Sequence, residues 1–162
     1  MTRFQTGLDQ LSSLLIRCAI LENTIADTKE AIISSLLRGR KVLTCGNGGS
    51  AADALHLAEE LVGRYEKHRR PLSAICLNAD VTALTCISND YGYEHVFSRQ
   101  VEALGCDGDV LVGFSTSGNS PNVVAAFNCA KERALTTVFL GGKDGGLASF
   151  CLETLNFNKI DA

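Results

Sequence analysis

The sequence predicts an α/β protein: a parallel sheet of five strands with helices on both faces, three layers in all, preceded by two leading helices. Three observations carry this. From Lys41 onward, short apolar runs alternate with segments of helical spacing. Strands joined through helices must run parallel, with helices covering both faces of the sheet. Two glycine- and serine-rich loops each follow an apolar run and each open a helix. A length of 162 residues, 46% of them apolar, is enough for one domain with a substantial core.

The first helix is expected from about Phe4 to Asn23, with Leu8, Leu11, Leu14, Leu15, Cys18, Ile20 and Leu21 at roughly helical spacing. The second is expected from Ile25 to Leu37, with Ile32, Ile33, Leu36 and Leu37 on its apolar side and Gly39 as a cap. Either both cover their own sheet, or one packs against another subunit. Strand 41–45 then leads to a helix over 51–65, whose buried stripe is Ala51, Ala54, Leu55, Ala58, Leu61 and Val62. Strand 72–77 is followed by a helix over 80–88, a loop Asn89-Asp90-Tyr91-Gly92 and a helix over 94–104. Strand 109–114 precedes a helix that Ser120 caps and Pro121 begins, running to about Arg133. Strand 136–140, a short helix and a last strand, 153–157, complete the pattern.

Composition excludes several classes. A net charge of −3 offers no general attraction to nucleic acid. The basic run Arg38-Gly39-Arg40-Lys41 complements a helix end. No apolar run spans a bilayer, and the N-terminus lacks a signal-peptide layout. The seven cysteines (18, 45, 76, 86, 106, 129 and 151) are odd in number and irregularly spaced, with no CxxC. They are read as reduced, mostly buried thiols of a soluble, cytoplasmic protein.

The chemistry gathers at the two loops, Gly46-Asn47-Gly48-Gly49-Ser50 and Ser115-Thr116-Ser117-Gly118-Asn119-Ser120. Each presents backbone N–H groups at the positive end of a helix dipole, where anions bind. Neither matches a P-loop or GxGxxG. Four neutral hydroxyls, on Ser115, Thr116, Ser117 and Ser120, suit a sugar phosphate better than a triphosphate, which recruits lysine and magnesium. One such loop alone is often only a cap and a turn; two together point to a cradle. His56 and Glu60, four apart, share a helix face above it. That pair can bind a divalent metal, move a proton, or be a plain surface pair. His68 is read as solvated, His95 as a helix-surface or interface residue, and Arg64 as a surface arginine or one aimed at a neighbouring subunit.

Gly46-Asn47-Gly48-Gly49-Ser50, His56 with Glu59-Glu60-Leu61, Gly63-Arg64-Tyr65, Asn89-Asp90, the loop 115–120 and Gly142-Lys143-Asp144-Gly145-Gly146 closely resemble phosphoheptose isomerases. These are sedoheptulose 7-phosphate isomerases of the sugar isomerase (SIS) domain family. The resemblance implies one SIS-type three-layer domain over 1–162, with a helical segment at 1–38 and an α/β core at 41–157. It implies a homotetramer and the conversion of D-sedoheptulose 7-phosphate to D-glycero-D-manno-heptose 7-phosphate through an enediol, on the route to ADP-heptose and lipopolysaccharide. On that pattern Glu60 is the base, and His56 and Glu60 bind zinc. Asn47, Gly48 and Gly49 contact substrate, Asn89 and Asp90 lie near the sugar, and Ser115, Thr116, Ser117 and Ser120 hold the phosphate. The family pattern continues into a C-terminal helix whose glutamine and histidine complete the metal site. No counterpart is read after Phe157, so an incomplete zinc site and impaired turnover are expected. The alternative is a non-catalytic SIS protein: a sugar-phosphate binder, or an adaptor such as the type that binds a replication initiator.

Overall fold

Thr2 starts the first helix: its hydroxyl accepts the Gln5 N–H at 3.2 Å and opens α1 (Arg3–Arg17). A 3-10 turn over Cys18–Leu21 joins it to α2 (Glu22–Leu37), so the first helix ends, and the second begins, earlier than expected. Gly39 closes α2 at φ +73°, the left-handed turn that such a helix end uses. There follow β1 (Val42–Gly46), α3 (Gly49–Val62), β2 (Ala74–Cys76), α4 (Val81–Tyr91) and a 3-10 turn at Tyr93–His95. Then come α5 (Ser98–Leu104), β3 (Val110–Ser115), α6 (Pro121–Glu132) and β4 (Thr136–Gly141). The computed structural model describes residues 1–142. The expected strand 153–157, Cys151 and most of the glycine motif at 142–146 lie outside the described residues.

Among the described residues the sheet has four strands, all parallel, in the order β2-β1-β3-β4. The chain leaves β1 for β2 on one side, then crosses to β3 on the other. The β1/β3 boundary is therefore a topological switch point, outside whose carboxyl ends such sheets bind ligands. Side chains alternate between the two faces. Leu43, Cys45, Leu111 and Phe139 pack with Val101 of α5 and with Val123, Ala126 and Phe127 of α6. Val42, Val110, Val112 and Val138 pack on the other face with Ile32 and Leu36 of α2 and Leu57 and Leu61 of α3. Burial on both faces explains the near-continuous apolar strands. At Gly113 a Cβ would lie 2.5 Å from the Phe127 ring, so glycine there lets α6 close onto the sheet.

Of the two alternatives for the leading helices, that both cover their own sheet does not hold among the described residues, and two further expectations need correction. Helix α1 buries no residue: Leu11 is 52% exposed and Leu15 63%, so its apolar stripe faces nothing within the described residues. In α3 the side facing the sheet is Ala54, Leu57, Ala58 and Leu61, whereas Leu55 and Val62 are exposed, because the stripe is rotated toward β1 and β3. Among the six described cysteines only Cys45 and Cys76 are buried, while Cys86 and Cys106 are exposed. None of the six forms a disulfide, and burial pushes the Cys45 thiol up to about 12, so it stays protonated. No helix among the described residues is long and apolar enough to cross a membrane.

The opposite end of the sheet is locked by Asp109. This buried carboxylate accepts the Lys41 ammonium at 2.6 Å, the Lys41 N–H at 3.0 Å and the Cys106 N–H at 2.8 Å. Burial alone would raise its pKa; the bonds from Lys41 and Cys106 and the Lys41 charge outweigh that and hold it below the usual carboxylate value. A carboxyl held low in the fold stabilises it above the unfolded pKa of about 3.9, and that stability is lost as pH falls through the folded value. Asp109→Asn is expected to cost about 2 kcal/mol at neutral pH, since Lys41 loses its partner but keeps some access to water. In urea unfolding the gap between the two proteins should narrow as pH falls below about 4.

Candidate active site

The first loop is held from below. Asn78, just past β2, donates to the Gly46 carbonyl at 2.9 Å and accepts the Gly46 N–H at 3.2 Å, acting as a strand partner where β2 has ended. A Cβ at Gly46 would lie 2.5 Å from the Ser50 carbonyl oxygen, so α3 starts hard against the strand. Gly48 turns at φ +56°, and among the described residues a Cβ on Gly48 or Gly49 would meet nothing within 4 Å. The described residues therefore leave open space over the N-terminus of α3.

The second loop bonds largely to itself. Ser115 Oγ lies 3.2 Å from Ser120 Oγ and accepts the Gly118 N–H at 3.1 Å. Ser117 Oγ accepts the Asn119 N–H at 3.2 Å. Ser120 stands at the cap position before Pro121, as expected, but its hydroxyl makes no cap bond and faces Ser115 instead. Ser115 is buried, Ser120 half-buried, and Thr116 and Ser117 are exposed. The end of β4 closes against this loop: the Gly142 N–H donates to the Thr116 carbonyl at 3.1 Å, and a Cβ on Gly142 would collide with that oxygen.

A side-chain bridge joins the loops. Asn47 Nδ2 donates to Asn122 Oδ1 at 2.8 Å, and Asn122 Nδ2 donates back to Asn47 Oδ1 at 2.9 Å. The Tyr93 hydroxyl donates to the same Asn47 oxygen at 3.0 Å, bringing in the segment after α4. Asn89 and Asp90 sit in the last turn of α4, not in a loop. Both are exposed, and the Asn89 amide donates to the Asp90 carboxylate at 2.7 Å.

On α3, His56 Nε2 lies 3.3 Å from Glu60 Oε1. His56 is exposed and Glu60 partly covered, with 28% of its side chain accessible. Glu59 joins them: one ligand atom from each of the three lies within 4.8 Å of the others. One imidazole and two carboxylates are a donor set that zinc accepts, with room for a further ligand. The pair borders a groove of about 500 Å³ walled by Leu57, Leu61, Phe114 and Leu140. A cavity of about 590 Å³ lined by His95, Arg99, Glu102 and Arg133 holds none of these loop residues. Arg64 is exposed, and its guanidinium donates to the Glu66 carbonyl at 3.2 Å. His68 is exposed.

A SIS domain family model matches residues 8–142. The phosphoheptose isomerase of Campylobacter jejuni is 56% identical over 128 residues, which are 79% of this chain and 69% of that protein. The chain belongs to the phosphoheptose isomerase family. A phosphoheptose isomerase from Laribacter hongkongensis is 50% identical over 139 residues, 86% of this chain and 71% of its own. Among solved structures, the phosphoheptose isomerase GmhA from Neisseria gonorrhoeae matches with a TM-score of 0.85 at 42% identity, covering 98% of this chain and 80% of its own. One from Francisella tularensis has the same TM-score of 0.85 at 33% identity, covering 96% and 84%.

In this phosphoheptose isomerase family member, sequence reasoning passed over Asn78, Tyr93, Asn122 and Arg69. Each works across a loop, where no periodicity marks it; an asparagine before the apolar run Val123–Phe127 is the one mark in the sequence, at Asn122. Arg69 belongs to a stretch read only as polar. Its guanidinium caps α3, donating to the carbonyls of Leu61 at 3.0 Å and Arg70 at 2.9 Å, and also to that of Glu60. It thereby fixes the turn that carries Glu60. Arg69→Ala is expected to cost about 1 kcal/mol. In hydrogen exchange, faster exchange should appear at the last-turn amides of α3, and not at Ala54 or Ala58.

Proposed function

We propose that this chain is an aldose–ketose isomerase converting D-sedoheptulose 7-phosphate to D-glycero-D-manno-heptose 7-phosphate. The observation that supports it best is the meeting of both loops at one end of the β1/β3 pair, with His56 and Glu60 on the helix that rises from the first. In this reading Ser115, Thr116, Ser117 and Ser120 hold the phosphate with neutral donors and the dipole of α6. Asn47, Gly48 and Gly49 line the sugar, with Asn89 and Asp90 beside it. Glu60 takes a proton from C1 of the ketose to give the enediolate, a proton passes from O1 to O2, and Glu60 returns its proton to C2, leaving the aldehyde at C1. Leu57, Leu61, Phe114 and Leu140 set an apolar wall beside Glu60 in the same groove. His56 and Glu60, with Glu59 in reach, would hold zinc, which when bound polarises the sugar oxygens as a Lewis acid. The same reading makes the product a precursor of ADP-heptose for lipopolysaccharide, and the protein cytoplasmic.

The test is aldose formation from sedoheptulose 7-phosphate with added zinc. Glu60→Gln should lower kcat by about 10²–10⁴-fold, the usual worth of a general base, while sugar phosphate binding persists. Turnover unchanged by Glu60→Gln would remove the assigned base. Binding without any turnover in the unaltered protein would favour a sugar-phosphate-binding module.

We also propose a homotetramer. The uncovered apolar stripe of α1 supports it, since a contiguous exposed stripe of this kind marks an association surface. Leu11 and Leu15 lie four apart on it. Replacing both by serine should lower the mass measured by light scattering, without loss of the circular dichroism of the α/β core.

A further inference from the structure

We infer that Asn122 and Tyr93 are positioning residues that fix Asn47 as a hydrogen-bond donor, and only a donor, toward the sugar. This rests on the sugar phosphate reading above and assigns it a specificity element.

The argument begins at a backbone group. The Val123 N–H is shared between the Ser120 carbonyl and the Asn122 side chain, each at 3.0 Å, and an amide NH2 held that close to an N–H would be repelled, so the atom facing it is Oδ1. Asn122 is almost wholly buried, so its amide has no freedom to turn. Its Nδ2 then points at Asn47, and the atom it meets must be an oxygen. Asn47 Nδ2 in turn meets Asn122 Oδ1. The Tyr93 hydroxyl takes the second lone pair of Asn47 Oδ1. A side-chain amide offers two acceptor sites and two N–H groups. Both acceptor sites of Asn47 are taken, and so is one N–H. Among the described residues one N–H is left, on the residue that precedes Gly48 and Gly49, where an added Cβ would meet no described atom within 4 Å. It can meet only an oxygen that accepts: a carbonyl, or a hydroxyl turned with its lone pair inward. The polarity is set 75 residues away, in the first turn of α6, and so travels with the phosphate loop.

Asn122 also supports the α6 backbone, so its removal risks the fold; Tyr93 is exposed, and loses only a hydroxyl as phenylalanine. The experiment is calorimetric titration of sedoheptulose 7-phosphate, and separately of inorganic phosphate, into the unaltered protein, Tyr93→Phe, Asn47→Ala, Asn47→Asp and the Asn47→Ala/Tyr93→Phe pair, with kcat and KM alongside. Tyr93→Phe should weaken sugar phosphate binding about threefold to tenfold, the worth of one neutral hydrogen bond, and leave phosphate affinity within about twofold. It should add nothing on the Asn47→Ala background, because the two act through one amide. Asn47→Asp should bind worse than Asn47→Ala, since a carboxylate offers no donor and sets an oxygen against Asn122 Oδ1. The inference is overturned if Tyr93→Phe binds the sugar phosphate like the unaltered protein, if its loss persists on the Asn47→Ala background, or if Asn47→Asp binds as well as Asn47→Ala. Sugar phosphate bound but not converted by the unaltered protein removes the isomerase reading and leaves the binding series standing as the test. Neither binding nor conversion overturns both.

Discussion

The parallel pairing of β1 with β3 is the constraint on which the rest depends. Its register sets Gly46 opposite Phe114, so the chain leaves both strands at the same height and at the switch point of the sheet. Two helix N-termini are thereby aimed into one space. A slip of one residue would reverse the facing of every side chain on β3. Val112 would then meet α6, and Gly113, which must be bare to admit the Phe127 ring, would face α2 and α3. The site is thus specified by the same apolar alternation that specifies the core.

Charge and polarity divide along the strands. At their N-terminal ends Asp109 takes the Lys41 ammonium and two backbone N–H groups, fixing where β1 and β3 begin. At their C-terminal ends the groups are neutral: hydroxyls of the second loop, amides of Asn47, Asn78 and Asn122. A buried ion pair needs good geometry and further hydrogen bonds to offset desolvation, and Asp109 has both. Neutral groups leave the other end able to exchange internal bonds for bonds to a ligand. Ser115 and Ser120 already face one another at 3.2 Å, and on the proposed reading a phosphate there would replace a weak contact with charge-assisted ones.

The alternation of strand and helix, both loops and the His56–Glu60 spacing were legible in the chain, because each is local: a period, a cap, a separation of four. Burial was less so. Cys86 and Cys106 look apolar by residue type yet lie outside, on α4 and in the turn before β3. Leu55 and Val62 fit a helical stripe, but the period leaves the angle of the stripe open, and the sheet rotates it. The stripe on α1 was read correctly as a stripe; what it packs against is a property of assembly, not of spacing. The supports of the site were the least legible. Asn78 reaches Gly46 over 32 residues and Asn122 reaches Asn47 over 75, distances at which single-chain patterns carry no signal.

Those long reaches have a consequence for how selectivity is built. A hydroxyl rotates to suit whatever meets it, so the serines of the second loop impose little direction on a ligand. An amide whose oxygen is saturated imposes direction fully. The chain of bonds from Val123 N–H through Asn122 to Asn47 begins at a backbone donor that cannot be inverted without unwinding α6. On the proposed reading, accommodation at the phosphate and discrimination at the sugar come from one helix terminus, the first through its loop and the second through its buried asparagine. Substitutions in the phosphate loop can then be compensated by another donor, whereas reversing the polarity of Asn47 requires changing the fold that orients it.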